Sequence, residues 1–400
     1  MLKTNVVIVG GGLSGIACAR KLQERNIDFL LLEASDRLGG RVRTEKTDGF
    51  IFDCGFQVFN SAYKKTNELL KDTGIEFNSF RSGALIKTDK GLYPLCDPLR
   101  EPKFLLKTLI SPVGSFADRL RMLALRFDTL RSSLTLDNSI EAELVKRGFT
   151  ASMIEQFFRP FLGGVFLEKE LKTCCEAFQS VFRFFSTGLA QLPTGGMGEI
   201  PLRMSRKLVA ERVLLNHRVV SVSKNLVQLE DGEKISADQI VLALDGNSLR
   251  KLIPELPLPN SNSVSNFYFE SDHIPEIARF LVLNGKQTGI INNLVSLSSV
   301  SASYAPSDRE LISVSVIGIS EDFGLVESEL KDWFPNRKFK FLRNFIIKEA
   351  LPQQFTAKRI KFPELDFYIC GDFLGNASIE SAVESGLTVS EKIFNSASNT

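Results

Sequence analysis

Asn5-Val6-Val7-Ile8-Val9-Gly10-Gly11-Gly12-Leu13-Ser14-Gly15 opens the chain as a strand that runs straight into a glycine turn. The β-branched run at 6–9 has the length and stiffness of a buried strand. The glycines at 10, 12 and 15 keep the G-x-G-x-x-G spacing. In it the first permits the tight turn, the second lets the backbone approach a pyrophosphate, and the third lets the following helix lie close to the strand. That helix, headed by Leu13 and Ser14 and continuing through Ala17 and Leu22, directs its unpaired N-terminal amides at the anion. Phe29-Leu30-Leu31-Leu32 then reads as a second buried strand ending in Glu33. An acid about 20 residues beyond the glycines is placed for a ribose hydroxyl. Together these features predict a dinucleotide-binding unit of Rossmann type.

With 400 residues the chain can form two to three domains of roughly 150 residues and bury a large core. Its 49 basic and 47 acidic side chains leave a formal charge of +2, which implies neither a nucleic acid nor a polyanionic surface as partner. Among the six cysteines (Cys18, Cys54, Cys96, Cys174, Cys175 and Cys370) there is no C-x-x-C pair, and the histidines are His217 and His273 alone. This argues against a zinc site and a disulfide framework and for a reducing compartment. The vicinal Cys174-Cys175 reads as two small buried side chains. Lys3, an apolar run and Ala17-Cys18-Ala19 imitate a secretory leader, but the glycines within the run and a helix continuing through Arg20 and Lys21 speak against one. No uninterrupted apolar stretch reaches the roughly 18 residues of a spanning helix. The expected setting is the cytoplasm, with peripheral membrane contact left open.

Behind Glu33 comes Ala34-Ser35-Asp36-Arg37-Leu38-Gly39-Gly40-Arg41-Val42-Arg43-Thr44. Its glycines let a backbone approach a ligand, and its arginines present forked donors to phosphate oxygens. Here the sequence resembles the flavin-containing amine oxidase superfamily, which also holds protoporphyrinogen oxidases and carotenoid desaturases. In that superfamily Glu-Ala followed by Arg-x-Gly-Gly-Arg marks FAD rather than NAD. The resemblance therefore assigns Glu33, Ala34, Arg37, Gly39, Gly40 and Arg41, with the glycine turn, to a non-covalently bound FAD.

The same resemblance extends along the chain. Asp53-Cys54-Gly55 looks like the family's Asp-x-Gly segment beside the flavin ring. Arg159-Pro160-Phe161-Leu162-Gly163-Gly164-Val165-Phe166 is similar to the Gly-Val segment of the protoporphyrinogen oxidase branch, and Leu192-Pro193-Thr194-Gly195-Gly196-Met197 to its Pro-x-Gly-Gly-Met turn. Val219 matches the strand position whose backbone pairs with the adenine. Near the end, Cys370-Gly371-Asp372 closes a strand and Ser378-Ile379 begins a helix. In related flavoproteins that acid binds the ribityl chain, and the helix N-terminus faces the pyrimidine carbonyl, where its dipole stabilises negative charge on reduced flavin. Gly371, Asp372 and Ile379 complete the set. Cys370 lies inside this strand rather than at the family's upstream tether position, so no covalent attachment is implied.

Between these motifs, residues 62–79 follow helical spacing, and Gly83 to Leu95 form short strands punctuated by Gly91 and Pro94. After Pro98 the pattern is helical for nearly a hundred residues. Phe104, Leu105, Leu109, Phe116, Leu120, Leu123, Leu125 and Phe127, with Arg119, Arg121, Arg126 and Arg131 interleaved, form an apolar face edged by basic groups. A core-facing helix with a solvated basic side is predicted, and a helix on a membrane surface is the rival. Phe157, Phe158, Phe161, Phe166, Phe178, Phe182, Phe184 and Phe185 are expected mostly in the core. With 32 phenylalanines against 5 tyrosines, a cavity drawn from this pool is apolar. Val213 to Val222, Leu226 to Leu229 and Gln239 to Leu244 read as strands, with an Asp231-Gly232 hairpin between the last two. Pro254, Pro257 and Pro259 mark a crossover. Asn266 to Glu270, Ala278 to Asn284 and Leu311 to Gly318 suit an antiparallel sheet with one covered face.

The expected architecture is α/β: a Rossmann-like FAD-binding domain from 1–85, 191–258 and 351–400, with a discontinuous α+β substrate domain from 86–190 and 259–350. Residues 396–400 are expected to fray. Amine oxidases of the family usually hold a water to flavin N5 with a lysine. The matching position here is Asn266, and Gln354 stands where an aromatic would be expected. Neither histidine has a recognisable catalytic setting, so no general base is assigned. The resemblance then implies an FAD-dependent oxidase or desaturase removing hydride from a largely apolar small molecule such as a porphyrinogen or polyene, with oxygen, quinone or another carrier as acceptor. The alternatives are a flavin amine oxidase and, from another class, a flavin-dependent isomerase or dinucleotide-binding structural subunit.

Overall fold

The computed structural model of the protein describes residues 2–131, 137–357 and 360–397. Leu2–Val9 (β1) leads into the helix Leu13–Glu24 (α1), and Phe29–Leu32 (β2) pairs parallel with β1. Val6 to Val9 are at most 4% exposed, as a parallel strand covered on both faces requires. The chain then leaves this sheet through a hairpin, Thr44–Thr47 (β3) and Phe50–Asp53 (β4). The helical spacing over 62–79 is realised only in Lys64–Leu70 (α2). Asp72 and Gly74, both at positive φ, interrupt it, and Phe77–Ser79 is a strand paired with Ala190–Pro193.

Gly83–Thr88 (β5) and Gly91–Cys96 (β6) begin a second sheet. Pro94 lies inside β6 rather than ending it, because β6 is the edge strand and an edge can spare one N–H. The helical stretch follows, with Leu105–Leu109 (α3), Phe116–Arg131 (α4), Arg159–Phe166 (α5) and Cys175–Thr187 (α6) among its members. The predicted core-facing side of α4 is corrected here. Only Asp118, Leu125 and Thr129 of this helix are buried, while Phe116, Leu120, Leu123 and Phe127 are exposed. Periodicity marks a face as apolar but does not supply the element that would cover it.

The chain returns to the first sheet as Val213–Leu214 (β7), Val219–Ser223 (β8), Leu226–Leu229 (β9) and Lys234–Leu242 (β10), followed by the helix Gly246–Leu252 (α7). The order is β7-β2-β1-β10-β9-β8. The single strand expected over Val213 to Val222 is two strands at opposite ends of that order, divided by Asn216 at φ 59°. Asparagine tolerates this left-handed conformation through local hydrogen bonding. Gly232 at φ 90° turns the β9–β10 hairpin.

Ser261–Ser271 (β11), Leu281–Asn284 (β12), Asn293–Ser296 (β13), Glu310–Ile317 (β14) and Phe339–Pro352 (β15) complete the second sheet in the order β15-β11-β14-β13-β12-β5-β6. It is antiparallel except where β12 meets β5. The boundaries at 85/86 and 350/351 therefore cut through β5 and β15. Tyr368–Ile369 (β16) rejoins β10 in the first sheet, and Ile379–Ala397 (α8) follows. Ser396, expected to fray, is helical, and 398–400 lie outside the described residues.

The β3–β4 hairpin is pinned to the second sheet at one buried carboxyl. Asp53 accepts hydrogen bonds from Thr44 Oγ1 (2.5 Å), the Met197 backbone N–H (2.8 Å) and the Tyr304 hydroxyl (2.8 Å), and Tyr268 of β11 donates to its carbonyl (2.7 Å). Burial raises this carboxyl to about 6 against the pull of its donors. A raised acid favours the native state while protonated. Its contribution is full below the unfolded value of roughly 4 and is lost as pH rises through the folded value. Asp53→Asn keeps an acceptor for Thr44 and Met197 and turns an amide toward Tyr304, whose hydroxyl can accept. Wild-type stability is expected to fall by about 2–3 kcal/mol between pH ~4 and ~6.5 from this group, and the variant to lack that fall. Thermal unfolding of both proteins across this range checks it, and parallel curves would refute it.

Candidate functional site

A cavity of about 1310 Å³ is lined by residues of both sheets and of the helices beside them. It exceeds the roughly 300–1,000 Å³ of most small-molecule pockets. Its lining is rich in glycine and acidic side chains beside the first sheet and in phenylalanine and arginine along the helices.

The polar end is built by glycines. Gly10 sits at φ 107°, where a Cβ would fall 2.4 Å from the Ala243 carbonyl oxygen. At Gly15 a Cβ would fall 2.0 Å from the Gly10 carbonyl oxygen, so α1 packs directly on the turn. Gly12 differs: a Cβ there meets nothing within 4 Å and would project into open space at the cavity wall. No side chain caps α1, and its first residues, Leu13 and Ser14, line the cavity. Glu33 stands beside them, its Oε2 accepting from the Gly11 N–H (2.7 Å) and its Oε1 from the Ser35 N–H and hydroxyl (2.9 and 2.8 Å).

The second glycine pair folds back onto the first. The Gly39 N–H donates to the Gly11 carbonyl (2.8 Å), and a Cβ on Gly40 would meet Gly12 Cα at 3.3 Å. Arg41 donates to Asp372 Oδ1 (2.6 Å) and to the Ala350 carbonyl (2.9 Å). Its fork is thus engaged by protein groups rather than held open for a phosphate. Val219, on the edge strand β8, lines the same end with Ala34, Gly371 and Ile379 at the head of α8. Of the residues assigned to the cofactor, only Gly15 and Arg37 do not line the cavity. Gly15 serves helix packing, and Arg37 extends along the surface toward Asp36 (3.9 Å).

Sequence reasoning missed several lining residues. Asp245 caps α7 by accepting from the Asn247 and Ser248 N–H groups, and an acid between a buried strand and a helix is a visible signal. Gln57 donates to the Arg41 carbonyl (2.9 Å), while its Oε1 is buried with no partner. Nothing in the spacing singled it out.

At the other end, Phe157, Phe161, Phe182, Phe184 and Phe185 line the cavity, and only Phe158, Phe166 and Phe178 of the dense cluster are fully in the core. The expectation that most would be core is corrected: α6 turns Phe182, Phe184 and Phe185 to the cavity, and Phe157 and Phe161 reach it around a π-helical turn at Ile154–Phe158, just before Pro160. Proline cannot donate an intrahelical bond, and a wider turn accommodates it. Phe157 and Phe161 consequently stack at 5.5 Å with an 11° interplanar angle. Arg81, Arg100, Arg119 and Arg126 also line this chamber, with Asp97 as the acid among them. Arg100 donates to the Phe185, Ser186 and Gly188 carbonyls, and Arg126 to Asp97 (2.8 Å) and the Ser186 carbonyl.

Asn266 and Gln354 do not reach the cavity. Asn266 is fully buried and exchanges hydrogen bonds with Ser313 and Ser315, and Gln354 donates to the Gly375 carbonyl (2.7 Å). His217 lines the polar end, its Nδ1 2.6 Å from the Leu215 carbonyl, away from the phenylalanines. Burial pushes the Cys96 thiol, which lines the cavity, up to about 12, and does the same to Cys370, which lies off it. Neither supplies a thiolate. Among the described residues no cluster of acids, histidines and cysteines could hold a metal, and no helix is long and apolar enough to cross a membrane.

Over residues 13–394 the sequence matches the flavin containing amine oxidoreductase family. The chain belongs to that family. Coproporphyrinogen III oxidase of Bacillus subtilis (strain 168) is 24% identical over 312 residues, 66% of this chain and 65% of that protein. Protoporphyrinogen oxidase 2, chloroplastic/mitochondrial, of Arabidopsis thaliana is 27% identical over 173 residues, 40% of this chain and 32% of that protein. Each match spans less than two thirds of the relative's own length. An oxidoreductase from Methanosarcina mazei shares the fold with a TM-score of 0.78 at 18% identity, over 98% of this chain and all of that one. The family makes the cofactor a flavin, and the polar end fits its dinucleotide form, FAD. The open wall at Gly12, the uncapped amides of α1 and the unpaired Gln57 Oε1 are the groups left for it to meet.

Two alanine substitutions separate the roles of the glycines in this family member. Gly12→Ala is expected to leave apoprotein stability within about 0.5 kcal/mol and to weaken FAD binding on the order of tenfold, because the methyl enters the groove. Gly15→Ala is expected to cost about 2 kcal/mol or more of stability, because backbone cannot yield to it. Bound flavin per protein and thermal unfolding of the stripped protein are the measurements. Equal flavin content in Gly12→Ala and wild type would refute the cradle.

Proposed function

We propose that the protein is an FAD-dependent oxidoreductase that withdraws hydride from a largely apolar macrocyclic substrate carrying anionic groups at its edge, of porphyrinogen type. One observation carries the reading: the substrate end of the cavity joins a phenylalanine wall to four arginines and a single acid. The phenylalanines remove water from the macrocycle and offer its pyrrole rings stacking surfaces. Arg119 holds only backbone carbonyls and Arg100 chiefly so, while Arg81 pairs with Glu101 (3.0 Å) and Arg126 with Asp97 (2.8 Å); four guanidinium groups against two carboxylates leave the chamber a positive surplus toward carboxylates on the substrate's rim. That potential favours a carboxylated ring over an uncharged polyene. The relatives' names, coproporphyrinogen III oxidase and protoporphyrinogen oxidase, support the same substrate class.

FAD, when bound, supplies the two-electron acceptor. The chain's part is to position, to dry and to polarise. The N-terminus of α8 at Ile379 lends positive partial charge to the cavity near Asp372. Asp97, the acid of the substrate chamber, is already paired with Arg126, so no free base is offered there. An amine oxidase is the weaker reading. The cations of the chamber repel a protonated amine, and Asn266 is locked among serines where a lysine would hold water.

Anaerobic mixing of the flavoprotein with a porphyrinogen, as the free acid and as its methyl ester, tests the proposal. The acid is expected to bleach the flavin band with a half-saturating concentration on the order of tenfold lower than the ester. Equal behaviour of acid and ester would remove the role given to the arginines. No bleaching by either would remove the oxidation itself.

A further inference from the structure

The apolar wall of the substrate chamber does not stop at the cavity mouth. Leu105, Leu109, Phe116, Leu120 and Leu123 line the cavity and are also exposed to solvent. Beyond them Leu106 is 70% exposed, Ile110 74% and Phe127 60%, and none of these three lines the cavity. On α4 the exposed residues recur at 116, 120, 123 and 127, one face of a helix whose opposite side buries Leu125 and Thr129. Single exposed apolar residues need no explanation, but a continuous patch on two neighbouring segments does.

Charge says what covers it. Residues 97–131 hold seven cations (Arg100, Lys103, Lys107, Arg119, Arg121, Arg126 and Arg131) against four acids (Asp97, Glu101, Asp118 and Asp128). This short segment is therefore more positive than the whole chain at +2, and the remainder is slightly acidic. Among the described residues Lys103, Lys107 and Arg131 are exposed and make no ion pair. A second copy on the same face would set cations against cations, which is unfavourable.

We propose that this face docks on a lipid bilayer bearing anionic headgroups. Leu106, Ile110, Phe116 and Phe127 enter the acyl boundary, and Lys103, Lys107 and Arg131 meet the headgroups. The mouth of the cavity then opens against lipid, and an apolar substrate reaches the chamber without crossing water. The docking stands on the surface alone; only the entry route rests on the substrate reading above.

Co-sedimentation of the flavin-loaded protein with vesicles of phosphatidylcholine and phosphatidylglycerol in equal parts, and of phosphatidylcholine alone, reads the docking without turnover. Binding to the mixed vesicles is expected, weakened on the order of tenfold on the neutral ones and by added salt. The triple variant Leu106→Ser, Ile110→Ser, Phe127→Ser is expected to lose at least about tenfold in vesicle binding while keeping its flavin and its melting temperature. Wild-type protein left in the supernatant, or a triple variant that binds equally well, overturns the proposal. A triple variant that converts a dimer to a monomer on gel filtration also overturns it, since the face would then join copies of the chain. Failure of the porphyrinogen reading would leave the vesicle result unchanged.

Discussion

Where α1 meets the first turn and where α8 meets α1, backbone packs directly on backbone. A Cβ at Gly15 would lie 2.0 Å from the Gly10 carbonyl oxygen, and one at Gly386 the same distance from the Ser14 carbonyl oxygen. No side chain larger than hydrogen fits either contact, so β1, α1 and α8 are held in a wedge whose open side is Gly12. The wedge brings the chain's first and last segments to one place. Arg41 and Asp372, 331 residues apart, can then form a 2.6 Å ion pair. The polar end of the cavity is a consequence of these contacts.

The β3–β4 hairpin is set against the second sheet through Asp53. A buried carboxyl is costly unless its acceptors are filled, and here donors arrive from the Thr44 strand, the turn at Met197 and, across the interface, Tyr304. Tyr268 adds a bond to the backbone carbonyl of the same residue. A sliding of the hairpin on the second sheet would strand several of these groups at once. The contact between hairpin and second sheet thus has one register.

The fold and the cofactor end were legible in the sequence because local geometry dictates them. Positive φ at Gly10, Gly39 and Gly40 and a close helix approach at Gly15 are demands that few residues satisfy, so the spacing itself carries the information. Arg37 lies off the cavity wall, and the sequence could not show this because a basic residue in that loop has the same pattern whether it turns in or out. The apolar face of α4 was misjudged for a related reason, since periodicity reports a stripe and not its covering. The phenylalanines went astray at the π turn, which adds a residue to the helical cycle and swings Phe157 and Phe161 to the cavity. No signal marked Arg100 or Arg126 as lining, because their partners are carbonyl groups at the end of α6 that only the folded chain presents.

The distribution of charge along the cavity constrains what it can hold. At the polar end the uncapped start of α1 and the head of α8 present amides, and at the other end guanidinium groups face the lumen, so both extremities favour negative charge. Phe157 and Phe161 wall the chamber of the guanidinium groups, and Phe56 and Phe80 line the same cavity. Apolar side chains give water no partner there, and in such a low-dielectric setting the charges of the lining act more strongly than they would in water. The buried polar groups beneath the second sheet do not disturb this, because Asn266, Ser313 and Ser315 satisfy one another. The polar end that fits FAD therefore opens into a phenylalanine-lined chamber of the same cavity, and a group held there is shielded from water.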